Sequence, residues 1–403
     1  MELPKYLPIT EYLNLPLQER LRRTLPLTKN EEDRASELKK KLLFIDIHNH
    51  VVQHGKEGEA YPFFPKERIQ QSGFDCFFES ITTHQDYLKA IRNVGTTFSV
   101  IDQNKEMSRR VFCAEDIRRT KRDGKVAFLC DMEIQSAGPY LDRIDLFYGL
   151  GVRSMGLTYN TKNFVGDGID ERTDNGLSYF GLQVVDRMNR LGIIVNLAHS
   201  GLKTAHDAIQ YSRDPVMFSH NATSLSYYHN SRPDELLKAC AEKGGIMGIL
   251  LVPHTLAIMK KPLEERKRVG VWDALDHYEH AIKVMGIDHL CVGSDSIAGV
   301  TLETPRGRMP LPPDWDEKNK SLPVEGRMWY GPRPMTPIAD HARIPSWTEK
   351  DPNWPYAAYV EGLNGTAELQ NLTRGFVSRG YSDQEIEKIM GQNALRFIER
   401  VIG

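Results

Sequence analysis

The sequence predicts an α/β fold, a (β/α)8 TIM barrel, from three observations. Short runs rich in apolar and β-branched residues alternate with stretches of helical periodicity. Eight such runs can be counted, and a histidine or a carboxylate follows most of them. Continuous apolar strands separated by amphipathic helices are typical of a parallel sheet covered on both faces, and eight such units can close into a barrel. An open doubly wound sheet is the alternative.

The predicted strands are short enough to be buried barrel strands and are separated by segments long enough to hold a helix. They are "LLFIDI" (42–47), "TTFSVI" (96–101), "KVAFLCD" (125–131), "VRSMGLT" (152–158), "IIVNL" (193–197), "PVMFS" (215–219), "GGIMGILLV" (244–252) and "HLCVGS" (289–294).

Helices are predicted between the strands from apolar residues at helical spacing with a glycine just past the end. The clearest examples are "YFGLQVVDRMNRLG" (179–192) and "RPDELLKACAEKGG" (232–245). Further helices are expected to close the chain over residues 363–401, where "SDQE" (382–385) has the pattern of a capping box.

Two regions fall outside the repeat, so we divide the chain into an N-terminal helical arm (1–40) and a barrel domain (41–403). An insertion at 300–360 follows the last predicted strand, is rich in proline and holds four of the five tryptophans. We interpret it as a lid over the barrel mouth; a surface excursion or a dimer contact are the alternatives.

Composition excludes several classes of protein. The 403 residues are 40% hydrophobic and 26% charged, as in an ordinary globular protein. A formal net charge of -2 gives no basic field for nucleic acid or an anionic membrane, and no stretch approaches about 20 apolar residues. Five scattered cysteines suggest no disulfide framework. We expect a cytoplasmic protein with small-molecule partners, acting on neither nucleic acid nor membranes.

The residues that follow the predicted strands have the chemistry of a metal centre. They are His48 and His50 after strand one, Glu133 after strand three, Tyr159 and Asn160 after strand four, His199 after strand five, His220 after strand six and Asp295 after strand eight. In an extended strand residues i and i+2 face the same side, so the first two histidines can converge on one ion. Imidazoles and carboxylates together favour Zn²⁺, with Mn²⁺, Fe²⁺ or Co²⁺ as alternatives.

The remaining histidines are interpreted as structural. His277 and His280 are expected on the solvent-facing side of the helix before strand eight. His254, which ends strand seven in "LLVPH", could line the pocket.

Several longer stretches resemble the membrane (renal) dipeptidase family, zinc peptidases on an amidohydrolase-type barrel. The resemblance covers about residues 42–298 and 363–400, and its most specific part is the spacing from "GLSYFG" through "LAH" to "FSH". The stretches are "VAFLCDMEIQSA" (126–137), "GVRSMGLTYN" (151–160), "GLSYFGLQVVDRMNRLGIIVNLAHSG" (176–201), "DPVMFSHN" (214–221) and "GIDHLCVGSDSIAGV" (286–300).

The resemblance implies a site with two zinc ions. His48 would bind the first ion, Glu133 would bridge the two, and His199 and His220 would bind the second. Asp295 matches the acid/base aspartate of the family, which would orient a metal-bound hydroxide and protonate the leaving group. Two metals would lower the pKa of bound water to about 7. Family members often pair, so a homodimer is an open alternative.

The sequence departs from the family pattern in the residues that read the substrate. His50 stands where the family usually has an aspartate. Tyr159 stands where a family histidine stabilises the oxyanion, so its hydroxyl is the expected replacement donor. We predict that Asn160, Asn230 and Arg232 bind substrate. Asn230 occupies the position of the family's carboxylate-binding arginine; Arg232, two residues later, either replaces that arginine or begins the next helix as an exposed residue.

Two catalytic functions and one non-catalytic function therefore stay open. The first is a binuclear zinc hydrolase that cleaves an amide bond of a dipeptide or dipeptide-like small molecule. The second is hydrolysis of a non-peptide compound such as a lactone, ester or cyclic amide. The third is a metal-binding protein without activity, which the retained Asp295 disfavours.

Overall fold

A computed structural model describes residues 15–52, 64–81, 86–132, 137–226, 231–256, 269–297 and 360–403. The predicted lid (300–360) lies outside these ranges except for its last residue. Eleven strands are found in the described residues. They are β1 (Ile45–His50), β2 (Cys76–Ser80), β3 (Ser108–Arg110), β4 (Val126–Met132), β5 (Val152–Gly156), β6 (Ile194–Asn196), β7 (Met217–Thr223), β8 (Ser231–Arg232), β9 (Ile246–Ile249), β10 (Leu290–Val292) and β11 (Ser296–Ile297).

Eight of these strands form a closed parallel barrel, as the sequence predicts. The order around the barrel is β1, β2, β4, β5, β6, β7, β9 and β10, and β10 pairs with β1 through Val292 and Asp46. The short strands β3, β8 and β11 lie off this ring, paired with β4, β7 and β1 respectively.

The predicted second strand is wrong. Residues 96–101 lie inside a helix, Tyr87–Gln103, which Asp86 caps by accepting a hydrogen bond from the backbone N–H of Lys89. The buried positions 90, 94, 97, 98 and 101 of this helix recur at helical spacing, which outweighs the β-branched character of "TTFSVI". The second strand is "CFFES" (76–80), whose five residues are all buried.

Helices alternate with the strands and cover the outside of the barrel. They are α1 (Leu17–Thr24), α2 (Lys29–Lys41), α3 (Lys66–Ser72), α4 (Tyr87–Gln103), α5 (Ala114–Arg122), α6 (Asp142–Leu150), α7 (Tyr179–Leu191), α8 (Leu202–Tyr211), α9 (Asp234–Glu242), α10 (Pro253–Leu256), α11 (Val271–Met285), α12 (Gln370–Ser378), α13 (Asp383–Glu387) and α14 (Asn393–Val401). Short 3-10 segments lie at Ile287–His289 and Thr366–Glu368, and a π-helical segment at Lys388–Gln392 joins α13 to α14.

The ends of two predicted helices are confirmed. Gly192 follows α7 in the left-handed conformation, with φ 71°, where a glycine carries no Cβ penalty. The predicted capping box is present at α13, because the Ser382 hydroxyl accepts from the Glu385 N–H and the Glu385 carboxylate accepts from the Ser382 N–H.

The last helix closes one end of the barrel. Phe397 and Ile398 of α14 belong to the same buried apolar cluster as the strand residues Ile45 and Phe78. The Asn393 side chain at the start of α14 donates to the carbonyls of Ile287 and Leu290, where β10 begins. Since the strands are parallel, the plugged end is the one at which they start. The opposite, carboxyl end holds the candidate site.

The described part of the N-terminal arm packs against the closing helices. Arg374 of α12 donates to the backbone carbonyls of Leu21 and Leu25 and pairs with Glu32 of α2. Arg34 of α2 pairs with Asp383 at the start of α13. Within the ranges that the structure describes, no helix has the length and apolar character needed to cross a membrane.

Candidate metal centre

Four histidines from the predicted set converge at the carboxyl end of the barrel. His48 and His50 lie on β1, His220 lies on β7, and His199 lies in the turn after β6. The His48 and His220 rings stack with their centroids 3.7 Å apart, and Nε2 of His199 lies 2.9 Å from Nε2 of His220. The structure therefore brings these four imidazoles together.

Asp295 joins the two histidines of β1. Its Oδ1 lies 3.2 Å from Nε2 of His50 and 3.8 Å from Nε2 of His48. Its backbone N–H donates to the carbonyl of His48 at 3.0 Å. Ligand atoms of these three residues all lie within 4.8 Å of one another, close enough to bind one ion. The Asn49 side chain, between the two histidines, donates to Asp46 and Ser294.

The Nδ1 atom of every one of the four rings is held by a neighbouring group. Carboxylate, carbonyl and amide oxygens accept from three of the rings, which places the proton on Nδ1 and directs the Nε2 lone pair into the site. The pairs are His48 with Asp131 Oδ2 (3.1 Å), His50 with the Ser80 carbonyl (3.2 Å), His199 with Asn160 Oδ1 (2.7 Å) and His220 with Ser219 Oγ (2.8 Å).

Two site residues have strained backbones. His199, with φ 62°, and Asp295, with φ 47°, are the non-glycine residues with positive φ in the described part of the chain. The left-handed region costs a residue with a Cβ roughly 1–2 kcal/mol and persists only where the surroundings enforce it. Both strained residues belong to the candidate site, which is where such strain is commonly found.

A buried carboxylate ties the first strand to the last. Asp46 is fully buried and accepts hydrogen bonds from the Asn49 side chain, the Ser294 hydroxyl and the Ser294 N–H. Burial raises the pKa of Asp46 to about 6, and these hydrogen bonds oppose the rise. The network fixes the seam between β1 and β10, from which His48 and Asp295 project.

Two buried acids of the site were missed in the sequence. Glu79 of β2 accepts from the backbone N–H groups of Val51 and Val52, and burial raises its pKa well above the usual range. Glu79 is absent from the predicted site residues because the second strand was predicted at 96–101 and lies at 76–80. Asp131 could have been found, since it is the last residue of the third predicted strand, "KVAFLCD" (125–131).

Of the other residues predicted for the site, some are described by the structure and others lie outside the described residues. The Tyr159 ring stacks on His199 with centroids 4.2 Å apart, and the Asn160 side chain is engaged by the same histidine. Arg232 is fully buried, so the expectation of an exposed residue beginning the next helix is wrong. Glu133 and Asn230 lie outside the described residues, as does the side chain of His254.

The positions predicted for two histidines that were interpreted as structural are also wrong. His277 is fully buried, and His280 is half-buried, so neither has the solvent-facing position expected of it. His277 Nδ1 lies 2.7 Å from the Thr223 hydroxyl and its Nε2 contacts the Leu256 carbonyl. Its interpretation as a structural residue is consistent with these contacts.

The donor set fits a metal ion such as zinc. Two nitrogens bound to one tetrahedral zinc at about 2.0–2.1 Å would lie roughly 3.3 Å apart, close to the 2.9 Å between the Nε2 atoms of His199 and His220. Lone pairs at this separation repel unless a proton or a metal ion lies between them. His48, His50 and Asp295 supply a second group of borderline ligands beside this pair.

A family model and curated relatives match the chain over most of the described barrel. The model of the membrane dipeptidase family (peptidase family M19) matches residues 20–305. The uncharacterized dipeptidase C965.12 of Schizosaccharomyces pombe is 31% identical over 239 residues, which cover 55% of this chain and 56% of that protein. Dipeptidase tcpJ of Claviceps purpurea is 27% identical over 361 residues, which cover 88% of this chain and 70% of that protein. The match thus spans little more than half of the first relative.

Solved structures share the fold. An amidohydrolase from Pseudomonas aeruginosa matches with a TM-score of 0.70 and 24% identity, covering 92% of this chain and 99% of that one. A metallopeptidase from Rhodobacter sphaeroides, liganded with a phosphinate mimic of the dipeptide L-Ala-D-Ala, matches with a TM-score of 0.64 and 18% identity, covering 89% and 99%. Because the family model covers more than half of the chain, the chain belongs to the membrane dipeptidase family, peptidase family M19.

Proposed function

We propose that the protein binds two zinc ions and cleaves an amide bond in a dipeptide or dipeptide-like small molecule. The observation that carries the proposal is the shared orientation of the four imidazoles. Their Nδ1 atoms are engaged by neighbouring groups, and their Nε2 atoms face one another or Asp295 at the open end of the barrel. Such an arrangement is typical of histidines that are oriented as metal ligands.

The residues divide into two sets of ligands. His48, His50 and Asp295 would hold one ion, and His199 and His220 the other; Glu133 would bridge them by resemblance to the family. When bound, the two ions would polarise the substrate carbonyl and lower the pKa of a water molecule to about 7. His50 in place of the usual aspartate makes the first set richer in nitrogen, which favours zinc over metals that prefer oxygen.

The chain itself supplies proton transfer and charge stabilisation. Asp295 extends from the end of β10 with one carboxylate oxygen 3.2 Å from Nε2 of His50, so it can hold a proton beside the ligands and deliver it to the leaving amine. Tyr159, stacked on His199, is the candidate hydroxyl donor to the developing oxyanion. The plugged opposite end of the barrel leaves substrate to enter from the side of these residues.

A dipeptide-like substrate is supported by three similar proteins. The names of the Schizosaccharomyces and Claviceps proteins describe dipeptidases, and the Rhodobacter metallopeptidase holds a dipeptide mimic. The proposal extends this substrate class to the present chain.

Hydrolysis of a lactone, ester or cyclic amide is the second candidate, and the position of Arg232 favours it. This arginine was the expected partner of a substrate carboxylate, but its guanidinium is buried against backbone carbonyls. A substrate without a free carboxylate would not need that partner.

The test combines metal content with a substrate panel. Protein purified without added metal would be analysed for bound elements and then assayed against dipeptides, their amidated counterparts, aryl esters and lactones. About two zinc per chain with cleavage of free dipeptides is the expected result. Two metals with turnover only of compounds that lack a carboxylate would favour the second candidate. Absence of metal binding after incubation with zinc would refute both.

A further inference from the structure

Arg232 is the largest fully buried side chain of the described structure. Its Nη1 donates to the Ser200 carbonyl at 2.8 Å and its Nη2 to the Leu197 carbonyl at 3.3 Å. The guanidinium carbon lies 5.3 Å from the centre of the Phe218 ring. In the ranges covered by the structure, no carboxylate lies within ion-pair distance of it. Arg232 donates only to carbonyls, and the Asp174 carboxylate attracts it from beyond ion-pair distance. Burying a cation in this way is costly, so its retention calls for an explanation.

The two carbonyls belong to the turn that presents His199. Leu197 and Ser200 flank that histidine, whose φ of 62° is strained. Arginine has a rigid fork of N–H donors and can therefore fix the separation of two acceptors, which a point charge such as lysine cannot. The Phe218 ring beneath the guanidinium lies two residues before His220 on β7. The side chain thus contacts the segments that carry both histidines of the second pair.

We propose that Arg232 is a positioning residue that holds the 197–200 turn so that Nε2 of His199 faces Nε2 of His220. The inference rests on the proposed function, because the pair it positions is the proposed ligand set of the second zinc. It replaces the expected role of Arg232 as a clamp for a substrate carboxylate. Both Nη atoms are occupied by the turn and the side chain has no exposed surface, so a clamp would require the turn to be released.

A purely electrostatic role of Arg232 predicts the opposite change in zinc affinity from a positioning role, so an experiment can distinguish the two. A guanidinium near a divalent ion repels it, so removing the charge alone would strengthen metal binding. Loss of the hydrogen bonds from Arg232 to the 197–200 turn would weaken metal binding. The direction of the change therefore separates positioning from electrostatics. Substitution by lysine keeps the positive charge but removes the paired N–H donors of the guanidinium. It therefore distinguishes positioning from electrostatics independently.

The experiment measures zinc binding by equilibrium dialysis for the wild-type chain, Arg232→Met and Arg232→Lys. Arg374→Met is the matched control, because Arg374 is also buried and also donates to two backbone carbonyls, those of Leu21 and Leu25, away from the site. We expect both Arg232 variants to lose about 10- to 100-fold in affinity for one of two zinc ions and to keep the other. Arg374→Met should bind both ions as the wild type does, even with a lower Tm.

Turnover separates positioning from substrate clamping. The positioning role predicts that kcat falls for every substrate, with or without a carboxylate, and recovers in part at high zinc. A clamp predicts a raised KM only for substrates with a free carboxylate and unchanged zinc affinity, and that result would overturn the inference. Equal or tighter zinc binding in Arg232→Met would also overturn it.

If the wild type binds no zinc, the proposed function fails together with the inference, whereas normal wild-type binding with unaffected variants refutes the inference alone. Should Arg232→Met fail to fold, Arg232→Lys decides by the same criteria.

Discussion

Asp131 holds His48 through a hydrogen bond of 3.1 Å between Oδ2 and Nδ1, and both side chains are fully buried. A carboxylate behind a metal-binding imidazole fixes the tautomer and raises the basicity of the ligand atom. Asp131 lies on β4 and His48 on β1, two strands that β2 separates in the barrel. The hydrogen bond between them accounts for the orientation of the His48 ring towards Asp295 and His220.

We expect Asp131→Asn to weaken zinc binding by about 10- to 100-fold while the fold is retained. The amide is nearly isosteric with the carboxylate, but it carries no charge and can present an N–H to Nδ1, which would favour the wrong tautomer of His48. Zinc affinity measured by competition with a chromophoric chelator checks this prediction.

Asp75→Asn is the control for this variant. Asp75 also lies in a barrel segment and accepts from a backbone N–H, that of Phe44, but its ion pair is with Lys121. It should lower the free energy of unfolding without changing zinc affinity. Equal zinc affinity in Asp131→Asn and the wild type would contradict the role assigned to Asp131.

Asp295→Asn tests proton transfer. We expect kcat to fall by about 10²- to 10⁴-fold, because the amide cannot accept and return a proton. The fold should persist, since asparagine adopts the left-handed conformation of residue 295 at least as readily as aspartate. The assay is run at saturating zinc and the bound metal is measured in the same samples. Unchanged turnover with full metal content would exclude Asp295 as the acid/base group.

The barrel could be predicted from the sequence because its signal is repeated. Eight strands were expected and eight close the ring, although one of them was placed in the wrong segment. In "TTFSVI" the β-branched residues gave a strand signal, and only tertiary packing of α4 shows that the same residues recur on one helical face. "CFFES" is short and contains a glutamate, so its sequence does not indicate a strand whose five residues are all buried.

The imidazoles of the site could be predicted, but most of the contacts that orient their rings could not. Strand ends are visible in a sequence, so His48, His199 and His220 were found by their positions. The partners of three of the four rings come from distant segments, as Asp131 does for His48 across 83 residues. Ser219, the partner of His220, is its neighbour in the chain. Arg232 shows the same limit, because its type suggested a substrate carboxylate while its position in the fold directs it to a backbone turn.

Tyr159→Phe tests the oxyanion donor. The ring can keep its stacking on His199 while the hydroxyl is lost. We expect kcat to fall by about 10²- to 10³-fold with little change in KM, as when one donor of an oxyanion hole is removed. Steady-state kinetics on the best substrate of the panel give both constants. A variant with wild-type kcat would show that the hydroxyl takes no part and that another group meets the oxyanion.

His277 should make the stability of the protein depend on pH. Burial lowers its pKa to about 4 from an ordinary value of 6.5, so the folded state holds the ring neutral where the unfolded state takes up a proton. The free energy of unfolding is therefore expected to fall as the pH drops from about 6.5 to about 4. At about 1.36 kcal/mol per pH unit, the loss amounts to about 3 kcal/mol and is complete near the lower value.

Urea unfolding of the wild type and His277→Gln between pH 4 and pH 7.5 measures this contribution. Glutamine does not titrate, so the variant should lose less stability on acidification, even if its stability at pH 7.5 is lower because the Thr223 contact is altered. Metal release also depends on pH, so both proteins are unfolded with excess chelator and only their difference is interpreted. Parallel curves for the two proteins would mean that His277 does not become protonated on unfolding in this range and that its burial carries no pH-dependent cost.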